Sequence, residues 1–89
     1  MKKITVVGTG YVGLVTGTCF AETGNNVICV DIDKQKVERM QNGEVPIYEP
    51  YLDVVFERNV KANRLSFTTN LKDAVDYAEI IFLALPTPP

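Results

Sequence analysis

Four short apolar runs divide the chain, and the segments between them repeat on a helical rather than a strand period. The first run is Ile4-Thr5-Val6-Val7, ending at Gly8, and the second is Val27-Ile28-Cys29-Val30, closed by Asp31. Leu65 to Thr68 is the third, and Ile80-Ile81-Phe82-Leu83-Ala84-Leu85 is the fourth and most apolar. Continuous runs of this kind predict strands covered on both faces, as in a parallel sheet. Between the first two, Tyr11 to Thr23 lacks proline and spaces Val12, Val15, Cys19 and Phe20 for a helix packed on the sheet, with Gly24-Asn25-Asn26 as its stop. Asp33 predicts the cap of a helix from Lys34 to Asn42, and Gly43 its end.

Pro46-Ile47-Tyr48-Glu49-Pro50 cannot be regular helix, because each proline forces its predecessor toward extended geometry. After it, Tyr51 to Ala62 reads as an amphipathic helix with Leu52, Val55, Phe56 and Val60 on one side. Asn70 and Asp73 resemble a capping box opening a helix through Tyr77. Strands thus alternate with helices, which implies right-handed crossovers and one α/β domain over residues 1–89. The expected architecture is a Rossmann-like, doubly wound parallel sheet, partial at about four strands, in the order 3-2-1-4.

Composition narrows the partners. A net charge of −2 gives no electrostatic case for nucleic acid or an anionic membrane surface. Met1-Lys2-Lys3 runs straight into the first strand, and no stretch approaches the roughly 18 apolar residues of a membrane span, so the cytoplasm is the expected compartment. Two cysteines make no disulfide framework, and both Cys19 and Cys29 read as small buried hydrophobes. There is no histidine and no metal-ligand spacing. Whatever this chain does, it does by binding.

The binding signal is Gly8-Thr9-Gly10-Tyr11-Val12-Gly13, a match to G-x-G-x-x-G. Alone that pattern is weak. Here it follows a strand, opens a helix, and is followed after 18 positions by Asp31 at the end of the next strand. Gly8 permits the tight turn, Gly10 lets the backbone approach a pyrophosphate, and Gly13 allows close packing of helix on strand. The helix N-terminus offers free N–H groups and a partial positive charge to phosphates. Seen alone, Asp31 would be a helix cap or a solvated carboxylate. After such a loop it is placed to accept hydrogen bonds from adenosine ribose hydroxyls, selecting NAD over NADP. Against an added phosphate at about 5 Å and an effective dielectric of 20, the repulsion is roughly 3 kcal/mol per pair of unit charges.

Gly8-Thr9-Gly10-Tyr11-Val12-Gly13-Leu14, Cys29-Val30-Asp31-Ile32-Asp33, Pro46-Ile47-Tyr48-Glu49-Pro50 and Pro86-Thr87-Pro88-Pro89 together resemble the UDP-glucose/GDP-mannose dehydrogenase family, in its order and spacing. The Pro-Ile-Tyr-Glu-Pro element is the specific one, since a generic dinucleotide-binding fold has no reason to carry it. The resemblance implies NAD at Gly8, Thr9, Gly10, Tyr11, Val12 and Gly13, with Asp31 and Lys36 at the adenosine ribose and Thr87 beside the cofactor after the last strand. The position of Thr87 supports this independently, because a fourth parallel strand delivers its loop to the crevice at the carboxyl edge. Tyr48 and Glu49 read as a structural turn rather than a substrate contact. The family usually has glycine after the second proline, whereas this chain has Tyr51.

Family members oxidise the C6 alcohol of a nucleotide sugar such as UDP-glucose to a carboxylate with two NAD in succession, through a cysteine-bound intermediate. They are several times longer than this chain, and the resemblance implies that the cysteine and the sugar contacts lie beyond position 89. No catalytic residue is assigned, and the chain by itself is expected to bind cofactor without turnover. GDP-mannose or another UDP-sugar are the alternative substrates, and a nucleotide-sensing module without chemistry is the alternative class. The apolar run at Ile80–Leu85, with one expected neighbour, also predicts self-association through a sheet edge.

Overall fold

The computed structural model describes residues 2–45 and 51–84, and Leu85, Thr87 and the Pro46–Pro50 element lie outside them. Eight elements follow in the expected alternation: β1 (Lys3–Val7), α1 (Tyr11–Glu22), β2 (Asn26–Val30), α2 (Lys34–Gln41), α3 (Leu52–Lys61), β3 (Leu65–Thr68), α4 (Leu71–Tyr77) and β4 (Ile80–Leu83). All strand pairs are parallel and the order is β3-β2-β1-β4. The predicted Rossmann-like arrangement is the one observed.

Side chains alternate across the sheet and assign the layers. Val6, Val27 and Cys29 face Gly17 of α1, while Thr5 points the other way and donates to the Ala74 carbonyl of α4 at 2.6 Å. α3 lies on the α1 side, where Phe56 stacks on Phe67 of β3 with ring centroids 5.4 Å apart. The core is one cluster, built from Ile4, Val6, Val27, Cys29, Leu65 and Phe67 of the sheet and from Leu14, Ala21, Val37, Met40 and Phe56 of the helices. A polar latch joins α1 to α3. Fully buried Asn59 donates to Glu22 at 3.0 Å and accepts from Arg64 at 2.9 Å.

Local chemistry sets the helix boundaries. The Asp33 side chain caps α2 by accepting from the Lys36 amide at 3.1 Å. Asn70 caps α4 through the Asp73 amide, but the Asp73 carboxylate returns to the Asn70 side-chain amide rather than to its backbone. That backbone N–H donates instead to the Thr68 hydroxyl at 3.0 Å. α1, α2 and α3 end alike, at left-handed Gly24, Gly43 and Asn63, with the paired backbone bonds of a Schellman motif. Tyr51, where the resembling family has glycine, also sits left-handed at φ 71, ahead of α3. A Cβ there costs about 1–2 kcal/mol.

Two expectations are corrected. The buried face of α1 is Gly13, Leu14, Gly17, Thr18 and Ala21; of the expected residues Phe20 packs at its margin, against Phe82 of β4, and Val15 is half-buried, whereas Val12 and Cys19 are not part of it. Val12 and Cys19 are exposed, so Cys19 is not a buried hydrophobe, whereas Cys29 is. The reason is steric: a Cβ on Gly17 would lie 2.9 Å from Cys29 Sγ, so the helix approaches along its small residues. The second correction concerns β4, whose four side chains are all exposed rather than covered on both faces. Among the described residues it pairs only with β1 and forms the edge of the sheet.

Candidate functional site

The turn between β1 and α1 is built around Gly8. Its N–H donates to the Val30 carbonyl at 2.8 Å, extending the β1–β2 pairing by one residue, and its φ of 104 then reverses the chain. Gly10 is the N-cap of α1 and offers no side-chain cap, and no acidic residue occupies the first turn. The first turn of α1 therefore supplies no carboxylate of its own to the partial positive charge of the helix end. A Cβ on Gly10 would meet nothing within 4 Å, so the loop is open to the outside at that point. Gly13 is the opposite case. A Cβ there would fall 1.9 Å from the Gly8 carbonyl oxygen and 3.0 Å from Ala84 Cβ, so this glycine closes the loop on itself as well as on the residue after β4.

A cleft of about 380 Å³ opens at the carboxyl ends of β1 and β2. Gly8, Thr9, Gly10, Asp31 and Lys36 all line it. The half-buried Asp31 carboxylate is held by several donors. Its Oδ2 accepts from the Thr9 hydroxyl and from the Thr9 amide at 3.3 Å, and its Oδ1 accepts from the Asp33 amide at 2.9 Å. The Lys36 ammonium stands 3.7 Å from Oδ2. Desolvation alone would push the Asp31 carboxyl up. The Thr9 hydroxyl, the Asp33 amide, the Lys36 charge and the Thr9 amide together outweigh it and hold the group below its ordinary value of 3.8. Asp31 is thus a fixed anion at the mouth of the cleft.

Of the residues expected from sequence, five come together here, and three do not line the cleft. Tyr11 and Val12 stand exposed on the first turn of α1, and Gly13 is buried behind it. Thr87 lies outside the described residues. Sequence reasoning missed the apolar wall, in which Val7, Val30, Ile32, Leu71 and Ala84 take part with Thr69 beside them. The available signal was position, since most of these residues sit at strand ends or just after them. Ile32 is 96% exposed, an apolar side chain left in solvent beside a carboxylate.

Strand, glycine turn, uncapped helix end and acidic residue on the neighbouring strand define a Rossmann-type dinucleotide-binding domain. The UDP-glucose/GDP-mannose dehydrogenase family, NAD binding domain, matches residues 2–89. The UDP-glucose 6-dehydrogenase TuaD of Bacillus subtilis is 54% identical over 99% of the chain, and the UDP-glucose 6-dehydrogenase of Rhizobium meliloti is 49% identical over 97%. Among solved structures, a UDP-glucose dehydrogenase from the archaeon Pyrobaculum islandicum aligns over the whole chain with a TM-score of 0.94 and 38% identity. A GDP-mannose dehydrogenase from Pseudomonas aeruginosa aligns over 97% with a TM-score of 0.92 and 36% identity. The chain spans only about one fifth of each, between 19% and 21%.

The chain belongs to the UDP-glucose/GDP-mannose dehydrogenase family, as its NAD-binding domain.

Proposed function

We propose that this chain is the cofactor-binding part of a UDP-glucose 6-dehydrogenase, oxidising UDP-glucose to UDP-glucuronate with two NAD. Supporting the sugar assignment, the relatives at 54%, 49%, 48% and 47% identity are all UDP-glucose 6-dehydrogenases. NAD, when bound, supplies the hydride acceptor, and the residues of this chain bind and orient it. The Gly8–Gly13 loop receives the pyrophosphate, with the open space at Gly10 admitting it and the amides at the start of α1 facing it. Asp31 and Lys36 take the adenosine ribose, and Ile32 with Leu71 offers apolar surface to the adenine. The family resemblance adds Thr87, which lies outside the described residues.

The observation that carries this reading is the fixed Asp31 anion beside an uncapped, glycine-lined helix end. The helix end attracts a pyrophosphate, while the Asp31 carboxylate accepts from the ribose and opposes a phosphate on it. Calorimetric titration of the purified chain with NAD and with NADP tests it. NAD is expected to bind at least tenfold tighter, from a repulsion of roughly 3 kcal/mol halved by solvent. Equal affinities would remove Asp31 from the site.

A further inference from the structure

Thr9 stands between Gly8 and Gly10, the first two glycines of the loop. Here it is 1% exposed, and both of its donors serve one atom. Its amide and its hydroxyl donate to Asp31 Oδ2, across 22 positions of sequence. The loop leaving β1 therefore grips the carboxylate at the end of β2. The other oxygen is held from its own chain, by the Asp33 amide at 2.9 Å. On the solvent side the facing charge is the Lys36 ammonium, 3.7 Å from Oδ2.

We infer that Thr9 is a positioning residue for cofactor choice: its hydroxyl holds the Asp31 carboxylate in the cleft-facing orientation that accepts a ribose hydroxyl of NAD and opposes the extra phosphate of NADP. This rests on the reading of the cleft given above and deepens it. A carboxylate has about four acceptor sites, and the three Thr9 and Asp33 donors leave about one, on Oδ1, for a ribose hydroxyl. Without the hydroxyl, the Thr9 amide at 3.3 Å is a weak hold, and Lys36 and water compete for the same oxygen. A carboxylate free to swing receives that hydroxyl less often and meets an incoming phosphate less squarely. Hydrogen bonds to ionised groups are the strong class, so losing this one alters the orientation appreciably.

The test compares wild type with Thr9→Val, Thr9→Ser and Asp31→Asn, and with Thr9→Val combined with Asp31→Asn. Each purified chain is titrated with NAD and with NADP, and its thermal unfolding is recorded. Thr9→Val removes the hydroxyl at nearly constant shape and is expected to weaken NAD about tenfold and NADP less than twofold. Thr9→Ser restores the ratio, and Thr9→Val adds nothing once Asp31 is Asn, as coupling through one contact requires. If the valine variant does not fold, Thr9→Ala repeats the measurement without a branched side chain against the sheet. An equal loss for both cofactors, failure of serine to rescue, or the same loss in the Asp31→Asn background would overturn the positioning role alone. An Asp31→Asn chain that binds NAD as wild type does would instead overturn the reading of the cleft, and the role of Thr9 with it.

Discussion

Two glycines of one loop should respond oppositely to the same added methyl group. At Gly13 the new Cβ falls 1.9 Å from the Gly8 carbonyl oxygen. Carbon and oxygen approach without strain only to about 3.3 Å, so the carbonyl must retreat by roughly 1.4 Å. It belongs to a residue whose N–H is already tied to Val30, so the retreat distorts the β1 end. Overpacking costs about 1–3 kcal/mol, at the upper end where backbone is the obstacle, and the helix preference for alanine returns up to about 1 kcal/mol. Gly13→Ala is therefore expected to destabilise by about 2 kcal/mol and to lower the unfolding midpoint by roughly 8–16 °C. Gly10→Ala meets nothing within 4 Å at a φ of −70, where the N-cap bias against alanine and the lost freedom of the unfolded chain roughly offset each other. Its midpoint should stay within a few degrees of wild type while NAD affinity falls at least tenfold. Circular dichroism melts and NAD titrations of the two variants provide the assay. A Gly13→Ala chain that melts with wild type refutes the steric reasoning, and a Gly10→Ala chain that binds NAD normally removes the phosphate from this loop.

Thr18→Val should raise stability by about 1 kcal/mol, because the Thr18 hydroxyl is buried with no hydrogen-bond partner among the described residues; a lower melting point would show that the hydroxyl is satisfied. The Asp31 carboxyl is held below its ordinary value, so its contribution is complete above about pH 4 and is lost as pH falls through the lowered value. Acid melts should therefore show a stability loss that shrinks in Asp31→Asn, and identical pH profiles would contradict it. The exposed β4 edge is expected to pair with a second copy, with sedimentation coefficients rising with concentration in wild type and not in Ile81→Lys. A strictly monomeric wild type would refute this. With UDP-glucose and NAD the chain should yield no NADH. Burial pushes the Cys29 thiol up to about 12, and Cys19 lies about 12 Å along α1 from Tyr11 at its start. Turnover above a no-enzyme control would place chemistry in these residues.

The strands and helix ends were legible because their signals are local. Asp33 and Asn70 cap where their side chains reach the next turn, and Gly24 and Gly43 end helices where a left-handed residue is needed. The packing face of α1 was not, because apolar periodicity weights large side chains and this helix approaches the sheet on Gly13 and Gly17. Gly13 was read as a close-packing residue, but Gly17, four positions on along the same face, was not. Gly8, Gly10 and Asp31 were readable as a motif, but the bond from Thr9 to Asp31 was not. It arises only when the ends of β1 and β2 are brought side by side. The apolar run at β4 described the surroundings such a strand has with neighbours on both sides, and among the described residues it has one.

The β1–β4 register also orders events in time. Ile4 pairs with Ile80, 76 positions away, whereas Lys3 pairs with Asn26 and Val27 with Leu65, over 23 and 38 positions. Closing the longest of these loops costs about 1 kcal/mol more chain entropy than closing the shortest. The three strands β3-β2-β1 can thus assemble first, with β4 docking onto a surface already formed. Ala84 arrives with it, donating to the Val7 carbonyl at 2.8 Å and completing one wall of the cleft. Cofactor capture then waits on the slowest pairing in the chain. Bound NAD is then expected to act as a late clasp that slows the departure of β4.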